Sequence, residues 1–484
     1  MNKKIRKILI TPLVLITIMM GACGRGSSSD SSATDSGNDH KIQFWHTFGK
    51  LIQDTLQTQI DEFEKLIKDT EGVDVEIVPV YKSNYSTIND AINKGFSTAN
   101  IPTLAVAYPD HVADYISAES EPGQFVVNMQ DYIDDEKLGL GKESWEASKE
   151  GIEDFNEAWI EEGRAFVRDG LYCFPYLKSS EVMFYNMDMV RRAMAIHDPS
   201  VKGDDAIRNY INSLDWDGLM SLSETILNNK EKIGSEIVSP TFYDSDANLF
   251  ISQMFQSKIP FSSVKDGNGN IDFADGVNRE NAEKMVTSLV NYHSKNLVTT
   301  KGVYTTYGSD SFKKGECVFS IGSSGGSGYN FSTEFDIGVS KVPSVNNNDK
   351  YVSQGVSLAI LKSPKYSEST NEWKTKYAWK FIKYLTGAET NAAMCFGGSE
   401  GYVPVRDSAY TTERAISFLS DDSLYAASAN VVLSDINGNY FTTPCFKGSA
   451  VLRDEVGKLI VSAFKGQSVK TAFDTAIQAA LLKF

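Results

Sequence analysis

The chain is poor in cysteine, in positive charge and in long apolar runs, and each shortage removes a class of function. Its 484 residues include only five cysteines: Cys23, Cys173, Cys317, Cys395 and Cys445. No two stand at CxxC spacing, so the cysteine frameworks that hold structural zinc have no ligand set here, and no metal is expected. The four after Cys23 allow three disulfide pairings, which their spacing does not rank. Acidic residues outnumber basic ones 63 to 47, a formal charge of −16. Phosphate backbones are bound by net basic surfaces, so this balance argues against nucleic acid as a partner. The sequence is read as having no serine nucleophile elbow, H-E-x-x-H helix or Walker loop, and no cofactor motif. No internal repeat is apparent. Beyond one apolar run at the start, no stretch approaches the 18 residues that a membrane-crossing helix needs.

That opening run is informative in itself. Lys3, Lys4, Arg6 and Lys7 lead into the apolar stretch Ile8 to Met20 and then Gly21-Ala22-Cys23. A stretch of thirteen residues is too short to span a bilayer, and small residues directly before a cysteine are what a lipoprotein signal presents. Residues 1–22 are therefore expected to be a removed signal peptide and Cys23 a lipidated N-terminus, which places the exported protein on the outer face of the cytoplasmic membrane. Each acyl chain adds roughly 0.8 kcal/mol per buried methylene, so two or three hold a soluble domain on a membrane. Residues 23–40, rich in Ser, Gly and Asp, read as a flexible tether. Loss of the four leader cations would leave the mature chain at about −20.

About 460 residues then remain, more than one core usually serves, so two lobes are expected. Lys41 to His46 reads as a strand. Leu51, Ile52, Leu56, Ile60, Phe63 and Ile67 recur at helical spacing. Val73, Val75 and Ile77 alternate again, and Thr103 to Ala107 forms a third strand after another helix. This is βαβαβ, and ligands collect beyond the carboxyl ends of such strands: here His46 to Gly49, Tyr81 to Tyr85, and Tyr108 to Asp110. Gly170 to Asn186 holds two strand-like stretches around Pro175. Ser311 to Tyr329 reads as a strand ending in a Gly/Ser loop. Gln354 to Ser363 is a buried strand followed by an amphipathic helix, Tyr377 to Leu385. His46 and Trp216 are expected to be structural, with Asp215 or Asp217 capping a helix.

Seven segments, taken in order, resemble the extracellular solute-binding proteins of family 1, the lipid-anchored receptors of carbohydrate-type ABC importers. They are FWHTFG (Phe44 to Gly49), G-x-L-Y-x-x-P…F-Y-N (Gly170 to Asn186), LDWDGL (Leu214 to Leu219), FKKGECVF (Phe312 to Phe319), QGVSLAI (Gln354 to Ile360), AWKFIKYL (Ala378 to Leu385) and GYVPV (Gly401 to Val405). The resemblance implies an α/β fold of periplasmic-binding-protein type (type II), with two discontinuous lobes joined by a hinge. Lobe 1 would comprise residues 41–175 and 343–388, and lobe 2 residues 178–340 and 389–484. It also implies a non-enzymatic, monomeric receptor that hands a small solute to ABC permease subunits.

Within that family the chain is most similar to the glycerol-3-phosphate branch. Tyr85 falls on a ligand-contacting tyrosine of that branch, Ser179 and Ser180 on its paired serines, and Ser323 and Ser324 on a second pair. Tyr402 matches the tyrosine of a G-Y-x-P turn and Arg453 a late arginine. Tyr108 and Asp110 stand where the branch has an acidic residue for glycerol hydroxyls. Gly355, preceded by Gln354 where a second glycine is usual, faces the same cleft. Trp45, at a strand end, could stack on a sugar ring. An arginine fork with hydroxyls and loop amides suits a phosphate group. A neutral mono- or oligosaccharide is the alternative solute. An exported glycosidase is the competing class, and would need two carboxylates about 5 to 9.5 Å apart across a cleft.

Overall fold

The computed structural model describes residues 40–147, 151–397, 401–434 and 438–484. The expected signal peptide, Cys23 and the tether up to Asp39 lie outside the described residues.

Alternation and helical spacing produce the first elements where the sequence places them. Strand β1 (Lys41–His46) buries Ile42 and Phe44, and helix α1 (Lys50–Glu71) buries Ile52, Leu56, Ile60, Phe63 and Ile67 on one face. Gly72 ends α1 in the left-handed region, with its N–H on the Lys68 carbonyl, the usual reason for glycine at that place. Strand β2 (Glu76–Tyr81) follows, then helix α2 (Tyr85–Thr98), whose first turn is capped by the Asn84 side chain accepting from the Thr87 N–H. Strand β3 (Leu104–Ala107) is buried throughout and leads into helix α3 (Pro109–Ser117), with proline in the first turn. β1 pairs in parallel with both β2 and β3.

The chain then forms two adjacent strands, β4 (Phe174–Ser179) and β5 (Glu181–Asn186), all twelve residues buried. They belong to different sheets. β4 is the edge of the first sheet, whose order is β2-β1-β3-β10-β4, with β10 (Gln354–Ile360) antiparallel to both neighbours. β5 enters a second sheet with β6 (Thr241–Tyr243), β7 (Val298–Thr300), β8 (Phe319–Ser323) and β9 (Ile337–Lys341), in the order β9-β5-β8-β6-β7. Along β5, Met183 and Tyr185 join the core around the second sheet, while Val182 and Phe184 face the cluster continuous with the first.

Two local differences from the sequence reading have simple causes. The Gly/Ser segment after β8 is a short helical turn, Ser324–Gly326, followed by the helix Ser327–Asn330, because Ser323 accepts from the Gly325 N–H and starts it. The helix expected from Tyr377 begins at Glu368, where Ser367 caps it by accepting from the Thr370 N–H; its first turns are polar and carry no apolar signal. Helix Ala388–Gly397 packs on α1, with Gln59 donating to the Thr390 carbonyl at 2.7 Å, whereas helix Leu424–Ser434 packs on β9 and β5. Asp215 caps the helix Trp216–Asn228 by accepting from the Gly218 N–H, and Trp216 is buried against Tyr243.

Gly355 is required where β10 meets β4. Its φ is +100°, and a Cβ there would lie 2.1 Å from the Leu177 carbonyl oxygen and 2.7 Å from the Lys178 Cα. Both obstacles are backbone and cannot swing aside. Gly355→Ala is therefore expected to destabilise the fold by at least about 2 kcal/mol, from backbone strain plus the clash, read as a lower midpoint in urea unfolding. An unchanged midpoint would show that β4 and β10 can part without cost.

Candidate functional site

Ends of strands from both sheets meet around a cavity of about 590 Å³. From the first sheet come Tyr85 at the start of α2, Tyr108 and Asp110 after β3, Ser179 at the end of β4 and Gly355 in β10. The second contributes Ser323 at the end of β8, the turn residues Gly325 and Gly326, Asn248 in helix Asp246–Gln256, and Arg453 in helix Ser449–Phe464. Tyr402 reaches the wall because Gly401, at φ +84°, brings its turn against the Ser324 carbonyl, which a Cβ would approach to 2.0 Å. Eight of the eleven expected binding residues thus line one cavity.

The other three do not. Trp45 is buried on the sheet, with its indole N–H on Gln43 and the Lys82 ammonium 3.9 Å above its ring. Ser180 donates its hydroxyl to the Val352 carbonyl and Ser324 is fully buried behind the lining, its N–H on the Ser180 carbonyl at 2.8 Å. The loop His46 to Gly49 contributes nothing to the wall either. Residues that sequence reading missed include Tyr307 and Tyr329, which are half-exposed and well exposed at the cavity. Tyr329 stood inside the Gly/Ser segment already singled out; Tyr307 offered no signal beyond being aromatic beside a glycine.

One expectation needs correction. Gly322-Ser323-Ser324-Gly325-Gly326 spells the letters of a nucleophile elbow, G-x-S-x-G. The spelling has no chemistry behind it: Ser324 has no exposed surface, and no histidine is among the residues lining the cavity. A serine without a base in reach is not activated.

The lining carries few charges. Arg453 is its one cation among the described residues, beside Asp110 and Glu162. Glu162 is already paired with the buried Lys178 ammonium and accepts from the Ser353 hydroxyl at 3.1 Å. Arg453 donates through one N–H to Asn248 Oδ1 at 2.5 Å, and its side chain lines the cavity. Ser323 donates to the Ser179 hydroxyl at 3.3 Å, so hydroxyls from the two sheets touch. The Tyr85 and Tyr108 rings lie 4.3 Å apart. Burial pushes the Tyr108 phenol well above its ordinary range, with Tyr85 adding to this and Arg453 opposing it. It is therefore a neutral donor at physiological pH.

Two buried groups, Glu181 behind this wall and His46 in the first sheet, titrate abnormally. Burial raises the Glu181 carboxyl to about 7, although Tyr243 and Asn248 donate to it and Arg453 is close. Burial lowers the His46 imidazole to about 4; its Nδ1 accepts from the Phe48 N–H at 3.4 Å, and it stays uncharged. Among the described residues no cluster of His, Cys, Asp or Glu is placed to hold a metal ion, and Cys173, Cys317, Cys395 and Cys445 are buried separately as free thiols. No helix among the described residues is long and apolar enough to cross a membrane.

Two sheets facing each other across a cavity of hydroxyls, tyrosines and a guanidinium have the architecture of the α/β, periplasmic-binding-protein-like class. Residues 58–424 match the family of bacterial extracellular solute-binding proteins, and the chain belongs to that family. It is a binding protein and not an enzyme. Similar solved structures include UgpB from Mycobacterium tuberculosis in complex with glycerophosphocholine, at 15% identity and a TM-score of 0.66, covering 91% of this chain and 98% of that one. Another is a cyclic α-maltosyl-1,6-maltose binding protein from Arthrobacter globiformis, at 15% identity, a TM-score of 0.65 and coverage of 91% and 97%. A third is the GacH receptor of Streptomyces glaucescens, at 16% identity, a TM-score of 0.63 and the same coverage of 91% and 97%. These likenesses establish the fold. No curated protein matches the sequence.

Glu181 and His46 pull the pH dependence of stability in opposite directions. A carboxyl raised on folding adds stability that is complete below about pH 4.5 and lost as pH rises through 7, whereas an imidazole lowered on folding adds stability present above about 6.5 and lost as pH falls through 4. Their contributions largely oppose each other in the wild type. In Glu181→Gln the carboxyl's share, roughly 3 kcal/mol between pH 4.5 and 8, disappears. Thermal unfolding should then show the variant gaining stability relative to wild type as pH rises from 5 to 8. Parallel pH curves for the two proteins would contradict this.

Proposed function

We propose that this protein is the lipid-anchored solute receptor of an ABC importer and that its solute is a phosphate ester of glycerol, either sn-glycerol 3-phosphate or a related glycerophosphate. The observation that carries the reading is Arg453, the one cation of the lining among the described residues, beside the hydroxyls of Ser179 and Ser323 and the glycine turn of Gly325 and Gly326. A guanidinium fork binds two phosphate oxygens at once, and such charge-assisted pairs are the strong ones. Tyr85 and Tyr402 add phenols to the same wall. Asp110, at the first turn of α3, is left to accept from the hydroxyls of the polyol. The two sheets are the centres of two lobes that close on the solute, and a permease recognises the closed surface. The receptor acts as a monomer, and Cys23 carries the lipid.

A second reading has its own observation. Five tyrosines (Tyr85, Tyr108, Tyr307, Tyr329 and Tyr402) and the carboxylate of Asp110 line the cavity, and aromatic faces with carboxylate acceptors also suit a neutral sugar. Arg453 separates the two solutes. For a phosphate ester, Arg453→Ala leaves the anion unpaired in a closed site and should weaken binding by about two to three decades, with Arg453→Lys recovering only part. For a neutral sugar it should matter little. Calorimetric titration of wild type and Arg453→Ala with glycerol 3-phosphate and with a maltose-type oligosaccharide decides. Tight binding of the sugar with none of the phosphate would overturn the phosphate reading and leave the receptor class standing.

Anchoring is tested separately. Cys23→Ser should release the protein from membranes or leave an unprocessed precursor, as seen by fractionation and intact mass. A processed Cys23→Ser protein that stays in the membrane fraction would refute the anchor.

A further inference from the structure

Behind the cavity wall a chain of buried polar groups leads away from the arginine. Arg453 donates to Asn248 Oδ1 at 2.5 Å, Asn248 Nδ2 donates to Glu181 Oε1 at 3.0 Å, and the Tyr243 hydroxyl donates to Glu181 Oε2. Asn248, Glu181 and Tyr243 are 4%, 5% and 0% exposed. Among the described residues Arg453 makes no direct ion pair, with Glu181 or any other acid. The charged or titratable groups around Glu181 are Tyr243 and Asp244 from β6 and its end, and Arg453 from the helix Ser449–Phe464.

Donor and acceptor chemistry sets the direction of this chain. A guanidinium only donates, so the Asn248 amide must turn its oxygen to Arg453, which leaves its N–H for an acceptor oxygen of Glu181. Flipped, it would face N–H against N–H at Arg453. Glu181 is thus held to Arg453 through a single permitted amide orientation. All three groups belong to elements around the second sheet, so the guanidinium can be set before any solute arrives, which lowers the ordering cost of binding.

We propose that Glu181 and Asn248 are positioning residues that fix the Arg453 guanidinium toward the cavity through a carboxylate–amide–guanidinium relay. This rests on the reading that Arg453 meets the anionic end of the solute. Acceptors decide how the relay can be broken. Glu181→Gln keeps an oxygen for Asn248 Nδ2, because its own N–H can turn to the Tyr243 hydroxyl, which can accept. Glu181→Leu leaves Asn248 Nδ2 without that acceptor. Asn248→Leu takes from Arg453 the oxygen it donates to.

The experiment is calorimetric titration with glycerol 3-phosphate of wild type, Glu181→Gln, Glu181→Leu and Asn248→Leu, together with crystal structures of the four solute-free proteins. Each leucine variant should lose about ten- to a hundredfold in affinity, and Glu181→Gln should stay within a few-fold of wild type. The guanidinium should face the cavity in wild type and Glu181→Gln and be displaced in the leucine variants. Leucine variants that keep both affinity and guanidinium placement would overturn the relay, as would a Glu181→Gln variant as weak as Glu181→Leu. If a leucine variant does not fold, Glu181→Gln still decides, since a displaced guanidinium there would contradict a hold made through the oxygen acceptor. If wild type does not bind glycerol 3-phosphate but the guanidinium moves as described, the solute assignment falls and the relay stands.

Discussion

Strands β4 and β5 are separated by one residue, Ser180, and that residue carries the chain from one sheet to the other. Its carbonyl accepts from the Ser324 N–H at 2.8 Å and its hydroxyl donates to the Val352 carbonyl at 3.0 Å. A crossing this short leaves the two sheets no freedom to drift apart along the strands, so their ends must stay level. Ser179 and Ser323 are consequently in hydroxyl contact, and every other wall of the cavity is placed relative to that seam. Gly355 belongs to the same constraint, because β10 can approach β4 only where no Cβ intervenes.

The polar groups around the seam are graded by burial. Lys178 and Glu162 are an ion pair almost out of solvent, a pairing that is costly to form and costlier to break. Glu181 is buried beside the crossing and satisfied by Asn248 and Tyr243 instead of by a cation. Arg453 is the one cation lining the cavity among the described residues. The second sheet therefore supplies the positive charge, while Asp110 and Glu162 line the cavity from the side of the first. For the proposed receptor, a solute that touches both walls favours the arrangement in which they are close.

Much of this was legible in the chain. The first βαβαβ unit followed from alternation and helical spacing, since both faces of β3 and one face of α1 are buried. Most cleft residues were reached through the family's motifs, because strand ends in such folds converge. Trp45 was misleading: it stands at a strand end, yet its ring turns to Gln43 and Lys82 and away from the cavity. Side-chain direction at the last residue of a strand depends on pleat and twist, which a local pattern does not settle. The relay was invisible, for its two hydrogen bonds join residues 205 and 67 positions apart in sequence. Polar contacts at such distances leave no periodicity to read.

Everything proposed about the solute turns on where its phosphate sits, and a crystal structure grown with glycerol 3-phosphate tests this most directly. Phosphate density is expected within hydrogen-bonding distance of two Arg453 nitrogens, between Ser323 and Ser179, with the polyol directed to Asp110. Density for the phosphate elsewhere, or a filled cavity with Arg453 turned from it, would contradict that placement.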